Sequence, residues 1–414
     1  MINILKNIDV YSPKYLGKKD IVIVGDKFQG IYDNVNIPKD FIEINIIDCN
    51  NKIMFPGFID CHVHIIGGGG EGGFTTRTPE IKVEDLTTAG ITTVVGCLGT
   101  DNISRGANNL VAKVKQLNQY GITAVCYTGS YQVPVETLTG NIKRDIMFVN
   151  EIIGVGEIAL SDHRSSQPSY EEFAYLVAEA RVGGLLSDKS GVVNVHLGVG
   201  KRKLEYLHRL FEETEIPMTQ VLPTHINRST ELFNEGLQYV KLGGIIDFTT
   251  SSDENFPEEG EVFAHQALKI AYDNKIPIEN ITFSSDGNGS MQKFNKDGSE
   301  AGLGICSVKT LYEQVRKAII EDNVPIEEAL KVITSNPARI LKLKNKGKIE
   351  KDYDADFVLV NKEDLSITDV YAFGKPLVIE GKEIVKDIFS WCEICNEIWT
   401  KKAKGWILLI QPFN

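Results

Sequence analysis

FPGFIDCHVH, residues 55 to 64, is an apolar run that closes on two histidines one residue apart. Side chains alternate along a strand with period two, so His62 and His64 point the same way and can converge on one ion. The bland alternative is a pair of satisfied core histidines. The preceding Pro56-Gly57 and the adjacent Asp60 favour metal ligation.

Similar apolar runs recur downstream of this one. With 58–64 they number eight: 91–97, 122–127, 152–158, 192–197, 220–225, 245–249 and 281–285 follow. Amphipathic stretches such as 104–120 and 170–181 lie between them. Eight strands alternating with helices predict an α/β chain whose centre, 56–345, is a (β/α)8 TIM-type barrel. Both chain ends are strand-rich instead, at 20–26, 356–360 and 370–381. They predict one small β-sandwich domain built from 1–55 and 346–390.

A chain of 414 residues can hold a barrel and such a satellite. Its net charge of −12 argues against nucleic-acid and anionic-membrane partners, which need basic patches. An anionic substrate would require local arginines. The opening MINILKNIDVYSPK lacks an apolar h-region, and no run is long enough to span a membrane, so neither a signal peptide nor a membrane helix is expected. Seven scattered cysteines do not form a disulfide framework, which points to the cytoplasm.

If the barrel is right, the chemistry sits at the C-terminal ends of its strands. His196, His225 and Asp286 each close a predicted strand, as do His62 and His64. Glu157 ends the fourth run, just before Ser161-Asp162-His163-Arg164. A buried acid there needs a partner, either a metal or the nearby Arg164. His208 and His265 fall in helical stretches and read as surface residues.

These residues, with GGGGEGG (67–73), YTGSY (127–131), SDHR (161–164), LPTHINR (222–228) and SSDGNGS (284–290), resemble the isoaspartyl (β-aspartyl) dipeptidases of the amidohydrolase superfamily. The resemblance runs to about residue 388. It implies a binuclear zinc site, with His62, His64 and Asp286 on one ion and His196 and His225 on the other. In that family a carboxylated lysine bridges the ions; here Glu157 stands in its place and is about three atoms shorter. The strand end must then move inward, which Gly154 and Gly156 permit, or the ions must shift, or only one ion is held tightly.

The resemblance further implies a metallopeptidase that hydrolyses the isopeptide bond of a small β-aspartyl dipeptide by a zinc-activated hydroxide. Asp286 would move the proton and Tyr131 would stabilise the oxyanion. Arg164 and Arg228 would each take a substrate carboxylate through a bidentate fork. Glu71 would pair with the ammonium and the loop amides around Gly69 with a carboxylate, with Thr100 and Ser290 as further contacts. A homo-oligomer, an octamer by resemblance, is implied as well. The competing readings are another amidohydrolase, such as an N-acyl amino sugar or amino acid deacetylase, and a non-catalytic scaffold. The stretch 391–414, with all three tryptophans and a lone Cys392/Cys395 pair, reads as an atypical C-terminal tail outside any metal site.

Overall fold

The computed structural model describes residues 2–37, 43–254, 260–294 and 300–390. The tail at 391–414 lies outside the described residues. Near-continuous apolar runs are what parallel strands covered on both faces require, and the middle of the chain follows that rule. Phe58–Val63, Ile91–Gly96, Thr123–Thr128, Ile152–Leu160, Val192–Leu197 and Val221–Thr224 pair in chain order as one parallel sheet. Ile246–Thr249 and Ile281–Ser284 form a second parallel pair. The seventh strand packs beside the sixth and the eighth beside the first, with a lone parallel bridge between Val63 and Gly287. The strand succession thus returns to its start.

Each of these eight strands is followed by a helix. The second and fourth helices are Ala107–Gln119 and Tyr170–Ser187, the latter a full turn and a half longer than the sequence predicts. Ser169 opens it with a reciprocal capping box to Glu172. A hairpin not expected from the sequence, Ser290–Phe294 with Glu300–Ile305, follows the eighth strand. His265 is a correction. It is 6% exposed, and its Nδ1 lies 2.6 Å from Asp322, so it is a paired interior group rather than a surface residue.

Strands from the two chain ends share one nine-stranded sheet. Phe357–Asn361 from the far end pairs antiparallel with Lys52–Pro56, which in turn pairs with Ile2–Tyr11. Leu5, Ile8, Ile21, Phe28, Phe357 and Leu359 form a core there, separate from the large cluster beneath the parallel strands.

Candidate metal centre

The strand ends carry the predicted groups to one place. His62 lies in the first strand, where the register slips between Asp60 and Val63, and His64 lies just beyond it. His196 is the penultimate residue of the fifth strand. His225 and Asp286 follow the sixth and eighth strands with φ of 63° and 52°. Left-handed backbone at non-glycine residues is uncommon and gathers at functional sites.

Glu157 reaches the centre through a bulge. The fourth and fifth strands lose register between Val193 and Val195, so Gly156 and Glu157 together oppose Asn194. Bulges re-aim side chains, and this one meets the reach that a short carboxylate lacks. A Cβ on Gly154 would sit 2.3 Å from the Val192 carbonyl, and one on Gly156 2.8 Å from that of Asn194. Only glycine allows the fourth strand this close.

Glu157 is the hub. Its Oε2 lies 3.3 Å from His62 Nε2, 3.2 Å from His196 Nδ1 and 3.8 Å from His225 Nε2, and its Oε1 lies 3.3 Å from His64 Nε2. Asp286 Oδ1 stands 3.0 Å from His64 Nε2 and 3.6 Å from His62 Nε2. Arg164 is not the partner of Glu157. Burial pushes the Glu157 carboxyl up, but the surrounding His62, His196 and His225 hold it well below the usual range. Burial, with Arg228 and His196 nearby, drives His225 down to about 3, leaving it neutral and able to coordinate.

Other side chains fix three of the four imidazoles. His62 Nδ1 lies 3.0 Å from Asn194 Oδ1 and His225 Nδ1 2.6 Å from Thr249 Oγ1, which leaves both Nε2 atoms facing inward. Asp162 Oδ2 accepts from His196 Nε2 at 3.1 Å and so turns Nδ1 toward Glu157. Cys97, fully buried, joins His62, His64 and Glu157 in one cluster of ligand-type atoms; Glu157, His196 and His225 make a second. Neither Cys97, Asp162 nor Asn194 was singled out from sequence. Asp162 carried a signal inside SDHR; the other two carried none.

These residues fit a metal ion. His62 Nε2, Glu157 Oε1 and Asp286 Oδ1 are buried without a hydrogen-bond partner, a state that costs about 1–3 kcal/mol per group and that a cation among them relieves. Burial lowers the affinity of His62 and His64 for protons, yet the negative charge of Cys97 and Glu157 raises it well above the ordinary histidine range. Metal and proton therefore compete for the same nitrogens. Metal affinity should rise with pH, and binding should release protons. Calorimetric titration in buffers of different ionisation enthalpy, at about pH 6 and pH 8, checks this; a pH-independent affinity would contradict it.

Tyr131, Arg164 and Arg228 are grouped beside His196. Tyr131 OH lies 2.9 Å from its Nδ1. Arg164 Nη2 and Arg228 Nη1 lie 3.1 and 3.3 Å from its Nε2. Arg164 needs a correction. Its Nε and Nη2 both donate to Asp162, at 2.9 and 2.8 Å, so its bidentate edge is already taken. Its Nη1 faces Glu71 at 3.5 Å, and Thr100 donates to Glu71 at 2.8 Å. Gly69 and Ser290 meet across the loops after the first and eighth strands, where a Cβ on Gly69 would lie 3.1 Å from that of Ser290.

With the cluster and its strand-end positions in view, comparison with known proteins is decisive. The amidohydrolase family pattern matches residues 53–384. The chain belongs to the amidohydrolase family. A crystal structure of a β-aspartyl dipeptidase from Fervidobacterium islandicum AW-1, in complex with the β-Asp-Leu dipeptide, is 47% identical to this amidohydrolase. It has a TM-score of 0.87, over 94% of this chain and 99% of that one. Among curated relatives, a dihydroorotase of Lactobacillus johnsonii is 23% identical over 88% of this chain and 90% of its own. Another, of Methanosphaera stadtmanae, is 29% identical over 27% of this amidohydrolase, and the match spans only 28% of that relative's length. The resemblance to the β-aspartyl dipeptidases is borne out.

Proposed function

We propose that this amidohydrolase is a zinc-dependent β-aspartyl dipeptidase, hydrolysing the isopeptide bond of β-aspartyl dipeptides. The observation that carries the reading is the pair of guanidiniums, Arg164 and Arg228, within 3.3 Å of one ligand histidine and beside the Glu71 carboxylate. A substrate with two carboxylates and one ammonium matches that charge pattern. Kinship with a structure that holds β-Asp-Leu supports the same substrate.

Two groups of ligand-type atoms, one with His62 and His64 and one with His196 and His225, share Glu157, which supports two ions over one. His62, His64 and Asp286 would hold the first, His196 and His225 the second, with Glu157 between them. Imidazole and carboxylate donors suit zinc. When bound, zinc lowers the pKa of a coordinated water to about 7 and polarises the scissile carbonyl. Asp286, whose buried Oδ1 has no hydrogen-bond partner, takes the proton of the attacking water and returns it to the leaving amine. Tyr131 donates to the carbonyl oxygen. Burial and the nearby Glu157 raise its pKa well above the usual value, which keeps the phenol protonated. Arg228, anchored through Nη1 on the Leu197 carbonyl at 3.2 Å, and Arg164, through Nη1, each hold a carboxylate. Glu71 holds the ammonium, and the Gly69 amide, Thr100 and Ser290 complete the contacts.

Hydrolysis of β-aspartyl-leucine by zinc-supplemented protein, with α-aspartyl-leucine as control, tests the reading. Fast, β-selective cleavage is expected. Inactivity of folded, metal-loaded protein on both would move an N-acyl deacetylase to the front, and absence of bound metal would favour the non-catalytic scaffold. Arg228→Ala should lower kcat/KM for β-aspartyl-leucine by about 3 kcal/mol, roughly a hundredfold. A β-aspartyl substrate without its α-carboxylate should be much less affected, and equal losses on the two would remove Arg228 from that role.

The same reading takes the eight parallel strands as a (β/α)8 barrel at 56–345 and the terminal sheet, 1–55 with 346–390, as a small β-sandwich domain. The closed strand succession and the separate terminal core support this. A cytoplasmic setting is supported by five free, buried cysteines among the described residues. No described helix is long and apolar enough to cross a membrane. Exposed Phe148, Tyr175, Leu185 and Leu186, on two helices packed together, support a homo-oligomer such as an octamer. Light scattering coupled to gel filtration tests it.

A further inference from the structure

Cys97 follows the second strand, Ile91–Gly96, and its role is not absorbed by the reading above. We propose that its thiolate is a metal ligand, giving the ion at His62 and His64 a closed set of four protein donors: His62, His64, Cys97 and Glu157. The inference rests on the metal centre proposed above and puts Cys97 in the place given there to Asp286.

One ligand atom from each of these four residues lies within 4.8 Å of every other, and all four side chains are buried. The Cys97 amide donates to the Val63 carbonyl at 3.0 Å, which ties the residue to the strand that carries both histidines. The other buried cysteines differ. Cys61 Sγ faces Asp247, Thr282 and the Phe283 carbonyl, and Cys49 Sγ faces the Ile47 carbonyl. Among the described residues, Cys97 is the one cysteine in a cluster of metal-ligating groups. Two members of that cluster, His62 Nε2 and Glu157 Oε1, are buried without a hydrogen-bond partner.

A thiolate on this ion makes the two halves of the centre unequal. Four protein donors close a zinc site, whereas three leave a position for substrate or water. Glu157, His196 and His225 form such an open set, on the side where Tyr131 and the arginines stand. The ion at Cys97 is then the tightly held, structural one. Asp286 is no longer needed to complete it, and its Oδ1 is left for proton transfer. Ligation breaks the Cys97 S–H bond as the sulfur–metal bond forms, and the proton passes to solvent.

The competing role for Cys97 is an orienting neighbour, because Sγ also lies 3.8 Å from His64 Nδ1. Titrating metal-free, full-length protein with Co2+ separates the two. The first equivalent should bring an intense thiolate-to-cobalt charge-transfer band in the near ultraviolet, and the second only weak visible bands. Cys97→Ser and Cys97→Ala, with folding checked by circular dichroism, should bind cobalt without the intense band and hold the first equivalent at least about tenfold less tightly. Visible cobalt bands without the charge-transfer band in the unaltered protein would make Cys97 an orienting neighbour while leaving the metal centre standing. Persistence of the band in both variants would assign it to another cysteine and overturn the proposal. Failure to bind cobalt at all would overturn the centre itself.

Discussion

Glu157→Gln should strip at least one ion from the metal centre and lower β-aspartyl-leucine hydrolysis by on the order of a thousandfold or more, the scale of losing a principal electrostatic element of a site. The substitution keeps size and shape but removes the charge around which His62, His64, His196 and His225 are arranged. Glutamine can offer one carbonyl oxygen, not two anionic ones, so it cannot serve two cations. Elemental analysis after zinc saturation should fall from about two ions per chain to one or none, and added zinc should no longer raise Tm as it does for the unaltered protein. Glu157→Asp separates charge from reach. It keeps the carboxylate but withdraws it by one methylene, and should retain part of the metal with little activity. Full zinc content and activity in Glu157→Gln would show that this carboxylate is not a ligand, and the bulge that aims it would need another explanation.

What the sequence reveals of this centre follows from how local each signal is. Strand-end positions of His62, His64, His196, His225 and Asp286 are legible because each closes an apolar run, and a run is a local pattern. Strand succession brings these ends together, the four histidines around Glu157 and Asp286 against His62 and His64. Arg164 shows the limit. Its number and neighbours place it correctly near the site, but the two bonds it makes to Asp162, two residues earlier, depend on a turn that composition does not encode. Cys97 is silent for a different reason. A small thiol at a strand end is most often a buried hydrophobe, and only the nearness of His62 and Glu157 across the strands distinguishes it. The short reach of Glu157 is legible in the sequence; its solution, one extra residue in the fourth strand opposite Asn194, breaks the periodicity from which strands are read. The single sheet at the chain ends is likewise hidden, since the pairing of Phe357–Asn361 with Lys52–Pro56 spans most of the chain.

Tyr131→Phe should lower kcat by about two to three orders of magnitude, or ~3–4 kcal/mol, with KM and zinc content nearly unchanged. Tyr131 is 5% exposed, and its hydroxyl lies 2.9 Å from His196 Nδ1, the nitrogen that also faces Glu157. Once that nitrogen coordinates an ion, the hydroxyl loses its acceptor there. Tyr131 would then have a proton to give, since burial and the nearby Glu157 raise its pKa well above the usual value and keep the phenol protonated. The carbonyl oxygen that gains charge during attack is the acceptor such a donor is suited to. The bond strengthens as that charge grows, so its loss should appear in kcat rather than in ground-state binding. Arg164, whose guanidinium sits 5.2 Å over the Tyr131 ring, holds the phenol in place and should keep the phenylalanine there in the same pose. A raised KM with kcat intact would make Tyr131 a substrate-binding group only. Loss of zinc from the variant would mean instead that the hydroxyl supports His196 as a ligand. A fall in kcat alone, at full zinc content, fits the oxyanion role and neither alternative.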